Sequence, residues 1–309
     1  MTIVETKSME TTRIKVAASV SLNVNTWPGA GPGFLLVHGL ASNARLWDGV
    51  ADSLAQAGLA VAALDQRGHG LSDKPDGDYG FATMCADLID VIGELGSGPR
   101  SALPTTPASR SDEATWARPV LVGQSWGANV VLELAWRRPG ILGGVACIDG
   151  GTSELWRHFP HWEDCARVLA PPIMAGHTET ELRRFLTEAH ADWPPSGIEG
   201  TMGNFALLSN GKMEPRLRRE HHMEILRSLY LQRPSDHYAD VNCPVLLMPA
   251  GGGGGAWSAD KHDAVDRAMA AIPRGRVHWF EGADHDVHAQ WPDSVAQVLT
   301  EAVADGFFD

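Results

Sequence analysis

Apolar residues fall into short continuous runs separated by amphipathic stretches along the first half of the chain. Runs without the polar alternation of half-exposed strands, typical of strands buried on both faces of a parallel sheet, lie at 34–37, 59–64 and 118–122. Residues 14–24 alternate enough to form one or two antiparallel strands before them. Helices are predicted at 43–56 and 81–95. The repeated order of strand, helix and strand predicts an α/β fold with a mostly parallel sheet flanked by helices.

The pattern changes after a further strand predicted at 144–149. Residues 152–238 contain helical stretches, two proline pairs and three tryptophans but no strand of the earlier type, which indicates a helical insertion. The alternation then resumes, with strands and helices predicted at 241–248, 258–271, 276–280 and 291–304. We therefore expect two domains: a core formed by residues 1–151 and 239–309, and an inserted helical domain formed by residues 152–238.

Composition and charge narrow the class of protein. A chain of 309 residues with 44% hydrophobic and 20% charged residues can form one large core, or a core with an insertion. The formal net charge of −13 argues against a nucleic-acid partner, and no cluster of basic and aromatic residues offsets it. No run approaches the roughly 18 apolar residues of a membrane span, and residues 1–13 lack the apolar centre of a signal peptide. We expect a cytoplasmic protein with neither membrane nor nucleic-acid partners; homo-oligomer formation is left open.

Several features that resemble binding motifs lack the rest of the motif. The Asp-His-Asp-Val-His sequence at 284–288 has no further ligands at helical spacing, so no metal is expected. The glycine run at 251–255 lacks the Lys-Ser/Thr of a phosphate loop and is predicted to be a surface loop, and the Pro- and Ser-rich stretch 97–117 an exposed excursion. Reduced, mostly buried thiols are expected for the scattered Cys85, Cys147, Cys165 and Cys243. No cofactor is predicted.

The sequence Gly-Gln-Ser-Trp-Gly at 123–127 places one hydroxyl nucleophile on a sharp turn. A predicted strand ends directly before it, and a helix predicted at 128–138 begins directly after it. Such a turn forces its apex into strained backbone dihedrals and leaves almost no room for flanking side chains, which suits Gly123 and Gly127. Ser125 is therefore the candidate nucleophile, exposed above the sheet near the positive end of a helix.

A serine hydroxyl is a weak nucleophile at neutral pH and needs a base within hydrogen-bonding distance, which in turn needs an orienting group. His285 is the candidate base because the short loop 281–286 lies between the last strand and the closing helix, at the carboxyl end of the sheet. His288 lies near the start of the closing helix and is expected to point elsewhere. Solvated positions are expected for the histidines of the insertion, His158, His161, His177, His190, His221 and His222.

Two carboxylates compete for the role of orienting acid. In folds with this turn, the acid follows the serine and precedes the histidine along the chain. The strand predicted at 241–248 is followed by glycines, and Asp260, one of the first carboxylates after them, belongs to a helix. Asp149 lies directly at the end of the preceding sheet strand. Both strand ends border the histidine loop, and we favour Asp149 over Asp260; a turn-capping role before Gly150 is the alternative.

Stabilisation of an oxyanion needs two backbone N–H donors beside the nucleophile. The residue after the serine, Trp126, provides one, and Leu40, in the loop after the strand 34–37, provides the other. Gly39 lets that backbone approach the substrate closely, and His38 is expected to be a hydrogen-bonded structural residue. Trp156 of the insertion is the further candidate for a substrate contact.

Four of these segments together resemble the signature segments of the α/β-hydrolase superfamily: Val-His-Gly-Leu at 37–40, Asp-Gln-Arg-Gly-His-Gly-Leu-Ser at 65–72, Gly-Gln-Ser-Trp-Gly at 123–127 and Gly-Ala-Asp-His at 282–285. The resemblance covers about residues 14–150 and 240–309. It implies the α/β-hydrolase fold, a Ser–His–acid triad, no cofactor and a helical cap after the sixth strand, where residues 152–238 lie. Most members carry the acid after the seventh strand, where this chain has glycines; a minority, including haloalkane dehalogenases and some lactonases, carry it after the sixth, as Asp149 is.

The resemblance also implies a reaction class. A serine nucleophile disfavours epoxide hydrolase and haloalkane dehalogenase chemistry, which forms an ester with an enzyme carboxylate, and favours acyl transfer to water. We therefore expect hydrolysis of a carboxylic ester or lactone, a small-molecule substrate with an apolar or aromatic body. A carbon–carbon hydrolase or a cofactor-free haloperoxidase could use the same triad, although the peroxidases commonly have Met where this chain has Trp126. A catalytically silent ligand-binding module is the remaining alternative.

Overall fold

The computed structural model describes residues 9–17, 19–97, 114–172, 176–252 and 256–309, without the side chains of 256–259. Most of the predicted excursion at 97–117 and part of the glycine run at 251–255 lie outside the described residues. Where the chain is described, the structure confirms the alternation of strands and helices on which the fold prediction depends.

The described elements are numbered in chain order. The strands are β1 (Glu10–Ala17), β2 (Val20–Trp27), β3 (Ala30–Val37), β4 (Leu59–Leu64), β5 (Val120–Gln124), β6 (Gly144–Ile148), β7 (Phe205–Leu207), β8 (Met213–Pro215), β9 (Val245–Met248) and β10 (Gly275–Val277). The helices are α1 (Asp48–Gln56), α2 (Phe81–Ser97), α3 (Trp126–Arg137), α4 (Leu155–His158), α5 (Trp162–Leu169), α6 (Glu179–Ala189), α7 (Pro195–Met202), α8 (Arg219–Leu231), α9 (Ala256–Ala271), α10 (Val287–Gln290) and α11 (Pro292–Ala304).

Eight strands form the main sheet, in the order β1-β2-β4-β3-β5-β6-β9-β10. β2 pairs antiparallel with β1 and with β4, and every other neighbouring pair in the sheet is parallel. The predicted mostly parallel sheet is therefore confirmed. Because β3, β5, β6 and β9 run in the same direction, the loops that follow them meet at one edge of the sheet.

The sheet is covered on both faces, and alternate residues of one strand enter different cores. Phe34 and Leu36 of β3 pack into one hydrophobic cluster, whereas Leu35 and Val37 pack into the other, and all four side chains are fully buried. This two-residue period follows from the pleat, which points successive side chains to opposite faces. Burial on both faces accounts for the continuous apolar runs in the sequence.

Two predicted elements differ locally from the structure. The helix predicted at 43–56 begins with a separate 3-10 turn, Ala44–Trp47, whose first amides are capped by the Asn43 side chain through a 2.9 Å bond from the Arg45 N–H. The last strand ends earlier than predicted, at Val277, and only an isolated bridge between Ala250 and Phe280 continues the pairing.

The segment between β6 and β9 contains helices α4 to α8, as the prediction of a helical insertion requires. It also contains the antiparallel hairpin of β7 and β8, which the sequence analysis does not predict. Each of these strands is three residues long, too short to show the alternating pattern that indicates a strand.

The expectation that the histidines of the insertion are solvated is wrong for two of them. His221 and His222 lie on α8 and are 3% and 8% exposed. The His221 ring stacks on Tyr79 with 4.6 Å between ring centroids, and its Nδ1 lies 3.0 Å from the Tyr79 hydroxyl. These contacts attach α8 of the insertion to a loop of the core.

Two expectations from composition concern the cysteines and membrane-spanning helices. All four cysteines are described, and all are buried and free of disulfide bonds, as predicted. Within the described ranges, no helix combines the length and apolar character that a membrane crossing needs.

Candidate active site

Ser125 stands at the apex of a sharp turn between β5 and α3. Its backbone has φ 52° and ψ −122°, a left-handed conformation that a residue with a Cβ rarely adopts. The Ser125 amide donates to the carbonyl of Ile148, at 2.9 Å, so the end of β6 holds the turn in place. The strained serine at a strand-to-helix turn agrees with the nucleophile predicted from the sequence.

The turn is possible because two glycines allow backbones to meet. A Cβ on Gly123 would lie 2.3 Å from the carbonyl oxygen of Gly127. A Cβ on Gly127 would lie 2.3 Å from the carbonyl oxygen of Val37 and 2.5 Å from that of His38. Gly127 therefore lets the serine turn pack directly against the loop that follows β3.

We expect Gly127→Ala to destabilise the protein by about 1–3 kcal/mol, because the added methyl group meets rigid backbone atoms and overpacks the contact. Chemical denaturation of the variant and the parent measures this difference. The matched control is Gly93→Ala in α2, where a Cβ meets no atom within 4 Å and the better helix former stabilises by about 0.5–1 kcal/mol. Equal unfolding midpoints for Gly127→Ala and the parent would contradict the close approach.

His285 and Asp149 come from different loops and form a direct pair. Nδ1 of His285 lies 2.6 Å from Oδ2 of Asp149. The carboxylate is 5% exposed, and the imidazole is 57% exposed. Asp149 follows β6 with φ 43°. The next residue is Gly150, and a Cβ at that position would lie 2.2 Å from the carbonyl oxygen of Ser125. The structure thus brings together the predicted base and the favoured acid.

The pair has opposite effects on the two titrating groups. Desolvation by neighbouring protein atoms disfavours protonated His285, but the hydrogen bond to Asp149 and the charge of Asp286 outweigh it and raise the pKa of the imidazole. Burial likewise disfavours the charged carboxylate, but hydrogen bonds from His285 and Lys261 outweigh it and lower the pKa of Asp149. Asp149 is therefore ionised at neutral pH and stabilises a protonated His285.

The rival residues have other partners. The Asp260 carboxylate is 53% exposed and pairs with His158 at 3.4 Å, not with His285. His288 is fully buried against Trp47, with 4.4 Å between ring centroids, and burial lowers its pKa to about 3.

The two predicted oxyanion donors belong to two segments that meet at the serine. Trp126 is the first residue of α3, and Leu40 lies in the loop after β3. Among the hydrogen bonds of the described residues, neither backbone N–H has an acceptor. A helix start leaves its first amides unpaired, which supplies the Trp126 donor.

The loop that carries Leu40 is held by the segment 65–72. Nε2 of His38 accepts a 3.0 Å bond from the Gln66 amide, and the Gln66 side chain donates to the His38 carbonyl at 2.7 Å. Nε2 of His69 accepts a 3.3 Å bond from Ala41, and its ring stacks on Trp126. The structural role predicted for His38 is confirmed, and the sequence alone does not reveal that Gln66 and His69 share it.

Ser125, Asp149 and His285 line one cavity of about 530 Å³. Its apolar lining comes from the core and from the insertion: Leu40, Trp126, Leu155, Leu169, Leu226, Leu229, Leu247 and Val265. The predicted contact Trp156 does not line this cavity; two guanidinium groups lie over its ring, those of Arg157 at 4.5 Å and Arg233 at 4.8 Å from the ring centroid. Gly39 lies beside the serine, and a Cβ there would be 3.1 Å from that of Ser125.

Two polar residues that the sequence analysis does not select also line the cavity. Lys261 of α9 binds Asp149, and His222 lies on α8. Burial lowers the pKa of His222, so its imidazole is neutral at neutral pH. Lys261 lies far from Asp149 in sequence, and His222 lies far from Ser125, so no local motif reveals either residue. Within the described ranges, no group of three or more His, Cys, Asp or Glu side chains could hold a metal ion.

Comparison with known proteins places this geometry in a family. A family model described as the alpha/beta hydrolase family matches residues 34–298. The 2-(acetamidomethylene)succinate hydrolase of Mesorhizobium japonicum is 31% identical over 289 residues, which are 92% of this chain and 92% of that protein. An esterase of Mycobacterium tuberculosis is 25% identical over 296 residues, 94% of this chain and 88% of that protein.

A solved structure shows the same fold. The crystal structure of E-2-(acetamidomethylene)succinate hydrolase has a TM-score of 0.72 and 22% identity, and covers 96% of this chain and 100% of that one. Some sequence matches are shorter: an uncharacterized protein of Mycobacterium tuberculosis is 31% identical over 123 residues, 40% of this chain, and the match spans 30% of that protein's length.

Proposed function

Because the chain belongs to the alpha/beta hydrolase family, we propose that it is a serine hydrolase that cleaves a carboxylic ester or lactone through an acyl-enzyme. The observation that carries this proposal is the convergence of Ser125, His285 and Asp149 on one cavity, with the histidine–carboxylate contact at 2.6 Å. The presence of all three groups argues against a catalytically silent binding module.

Each residue has a distinct part in the proposed reaction. Ser125 attacks the substrate carbonyl while His285 accepts the hydroxyl proton and Asp149 stabilises the resulting imidazolium. The N–H groups of Leu40 and Trp126 donate to the oxyanion of the tetrahedral intermediate. His285 then protonates the leaving alcohol oxygen, and a water molecule activated by the same imidazole hydrolyses the acyl-enzyme.

The cavity lining supports a substrate with an apolar or aromatic body. Leu155 and Leu169 of the insertion face the sheet loops across the cavity, so we infer that the insertion, residues 152–238, acts as a cap over the site. Among the described residues, no arginine lines the cavity, and Lys261 is already bound to Asp149. A neutral apolar ester therefore suits this cavity better than a dianionic substrate.

The 31% identity to 2-(acetamidomethylene)succinate hydrolase supports a second candidate, the hydrolysis of a substituted succinate of that kind. Such a substrate carries two carboxylates, which would need cationic partners in the cavity. The chemistry of attack by Ser125 is shared, so the two candidates differ in the substrate and not in the triad. Carbon–carbon hydrolysis and cofactor-free haloperoxidation would use the same residues.

The test is turnover of a p-nitrophenyl ester series from short to long acyl chains, with aromatic esters, lactones and 2-(acetamidomethylene)succinate measured in parallel. We expect kcat/KM to rise with the apolar size of the acyl group until the 530 Å³ cavity is filled. Turnover of the succinate alone would replace the ester proposal by the second candidate. Absence of turnover for every ester, lactone and succinate would overturn the proposed function.

A further inference from the structure

Lys261 of α9 contacts the triad but is not one of the three predicted catalytic residues. Its Nζ donates to Oδ1 of Asp149 at 2.7 Å and to the carbonyl oxygen of Ala250 at 2.9 Å. The Lys261 side chain is 26% exposed and lines the same cavity as Ser125. An ammonium group with two acceptors fixed on different strand ends has little freedom to move.

The two oxygens of the Asp149 carboxylate have different partners. Oδ1 accepts from Lys261 and from the Ala250 amide, the latter at 3.0 Å, whereas Oδ2 accepts from His285 at 2.6 Å. Rotation of the carboxylate would break all three bonds. Two of the partners belong to the segment after β9, so they hold the acid from the neighbouring strand end.

The bonds from Lys261 and Ala250 compensate for the burial of an acid placed after β6. Asp149 is 5% exposed, and a buried carboxylate facing only one imidazole would be poorly compensated whenever that imidazole is neutral. Lys261 supplies a permanent positive charge at the oxygen that His285 does not use. The charge keeps the carboxylate ionised through both halves of a catalytic cycle.

We propose that Lys261 is a positioning residue of the triad: anchored on the Ala250 carbonyl, its ammonium fixes the Asp149 carboxylate in the orientation that His285 requires. The consequence for the rate rests on the proposed function. The consequence for the imidazole does not, because it depends only on the contact between His285 and Asp149.

The charges around His285 predict the direction of its response. Asp149 and Asp286 favour the protonated imidazole, and Lys261 disfavours it. His288 is close enough to His285 for the two rings to affect each other's titration. Burial lowers the pKa of His288, so its ring is neutral at neutral pH. Loss of the Lys261 charge alone would raise the pKa of His285, whereas loss of the orientation of Asp149 would lower it, because the contact with Asp149 raises this pKa more than the charge of Lys261 lowers it.

The decisive experiment is an NMR titration of the protein labelled with ¹⁵N-histidine, with the His285 signals assigned by their loss in His285→Gln. Lys261→Met is compared with wild type, with Lys261→Arg, which keeps the charge, and with Arg267→Met. Arg267 lies on the same helix and is exposed, so its removal matches the change in net charge without touching the triad. We expect a lower His285 pKa in Lys261→Met alone, and a fall in kcat of about ten- to a hundredfold on the best ester.

The outcomes separate this proposal from the proposed function. An unchanged or raised His285 pKa in a folded Lys261→Met overturns the positioning role, as does an equal fall in Arg267→Met. Lys261→Gln is measured in the same way, and if both neutral variants lose the folded spectrum, Lys261 is a structural residue and the proposal is rejected. Should wild type hydrolyse no ester, the imidazole titration still decides the role of Lys261.

Discussion

Ser125→Ala is expected to lower kcat on the best ester by a factor on the order of 10⁶, to the rate left by binding and the oxyanion donors alone. Alanine removes the hydroxyl that forms the acyl-enzyme and leaves the strained turn and the cavity otherwise unchanged. The fall should appear in kcat with little change in KM, because the lost interaction is made only along the reaction path.

The measurement is steady-state kinetics together with covalent labelling by a fluorophosphonate, followed by mass spectrometry of the modified peptide. Wild type should carry the label on Ser125, and the variant should not be labelled. Ser228→Ala is the matched control, since Ser228 lies on α8 outside the cavity lining. Residual activity of Ser125→Ala above about one per cent of wild type would show that another group is the nucleophile.

The serine turn could be predicted from sequence because its determinants are local. A glycine two positions before and two positions after Ser125, a strand before them and a helix after them are all read from neighbouring residues. His285 could be predicted for the same reason, since a short loop after a buried strand must open at the carboxyl end of the sheet. The mostly parallel sheet follows from the same alternation.

The choice of acid could only be narrowed from sequence, because it depends on which side chain reaches the imidazole across the sheet edge. The 2.6 Å contact of Asp149 and the pairing of Asp260 with His158 are tertiary facts. Lys261 was missed for the same reason, since it lies 112 positions from its carboxylate partner in sequence. Trp156 lies outside the cavity lining, and its ring contacts the guanidinium groups of Arg157 and Arg233, a tertiary arrangement that no local pattern reveals.

Asp149→Asn is the second large effect and tests the assignment of the acid. The amide keeps the size of the carboxylate but loses its charge, so it neither stabilises the imidazolium nor fixes the tautomer in which Nε2 faces the serine. We expect kcat to fall by roughly 10⁴-fold. The His285 pKa should also fall, because the Asp149 carboxylate is one of the groups that raise it.

Asp260→Asn provides the matched comparison, because it removes the same charge from the same cavity rim. Asp260 is half-exposed and bonded to His158, so its loss should change kcat by less than about threefold, as expected for an exposed ion pair. Both variants are measured on the same ester, with thermal melting to confirm the fold and the histidine titration as a second readout. If Asp260→Asn instead lost the larger share of activity while Asp149→Asn retained it, the contact seen between Asp149 and His285 would belong to a resting arrangement, and Asp260 would have to approach the imidazole during turnover.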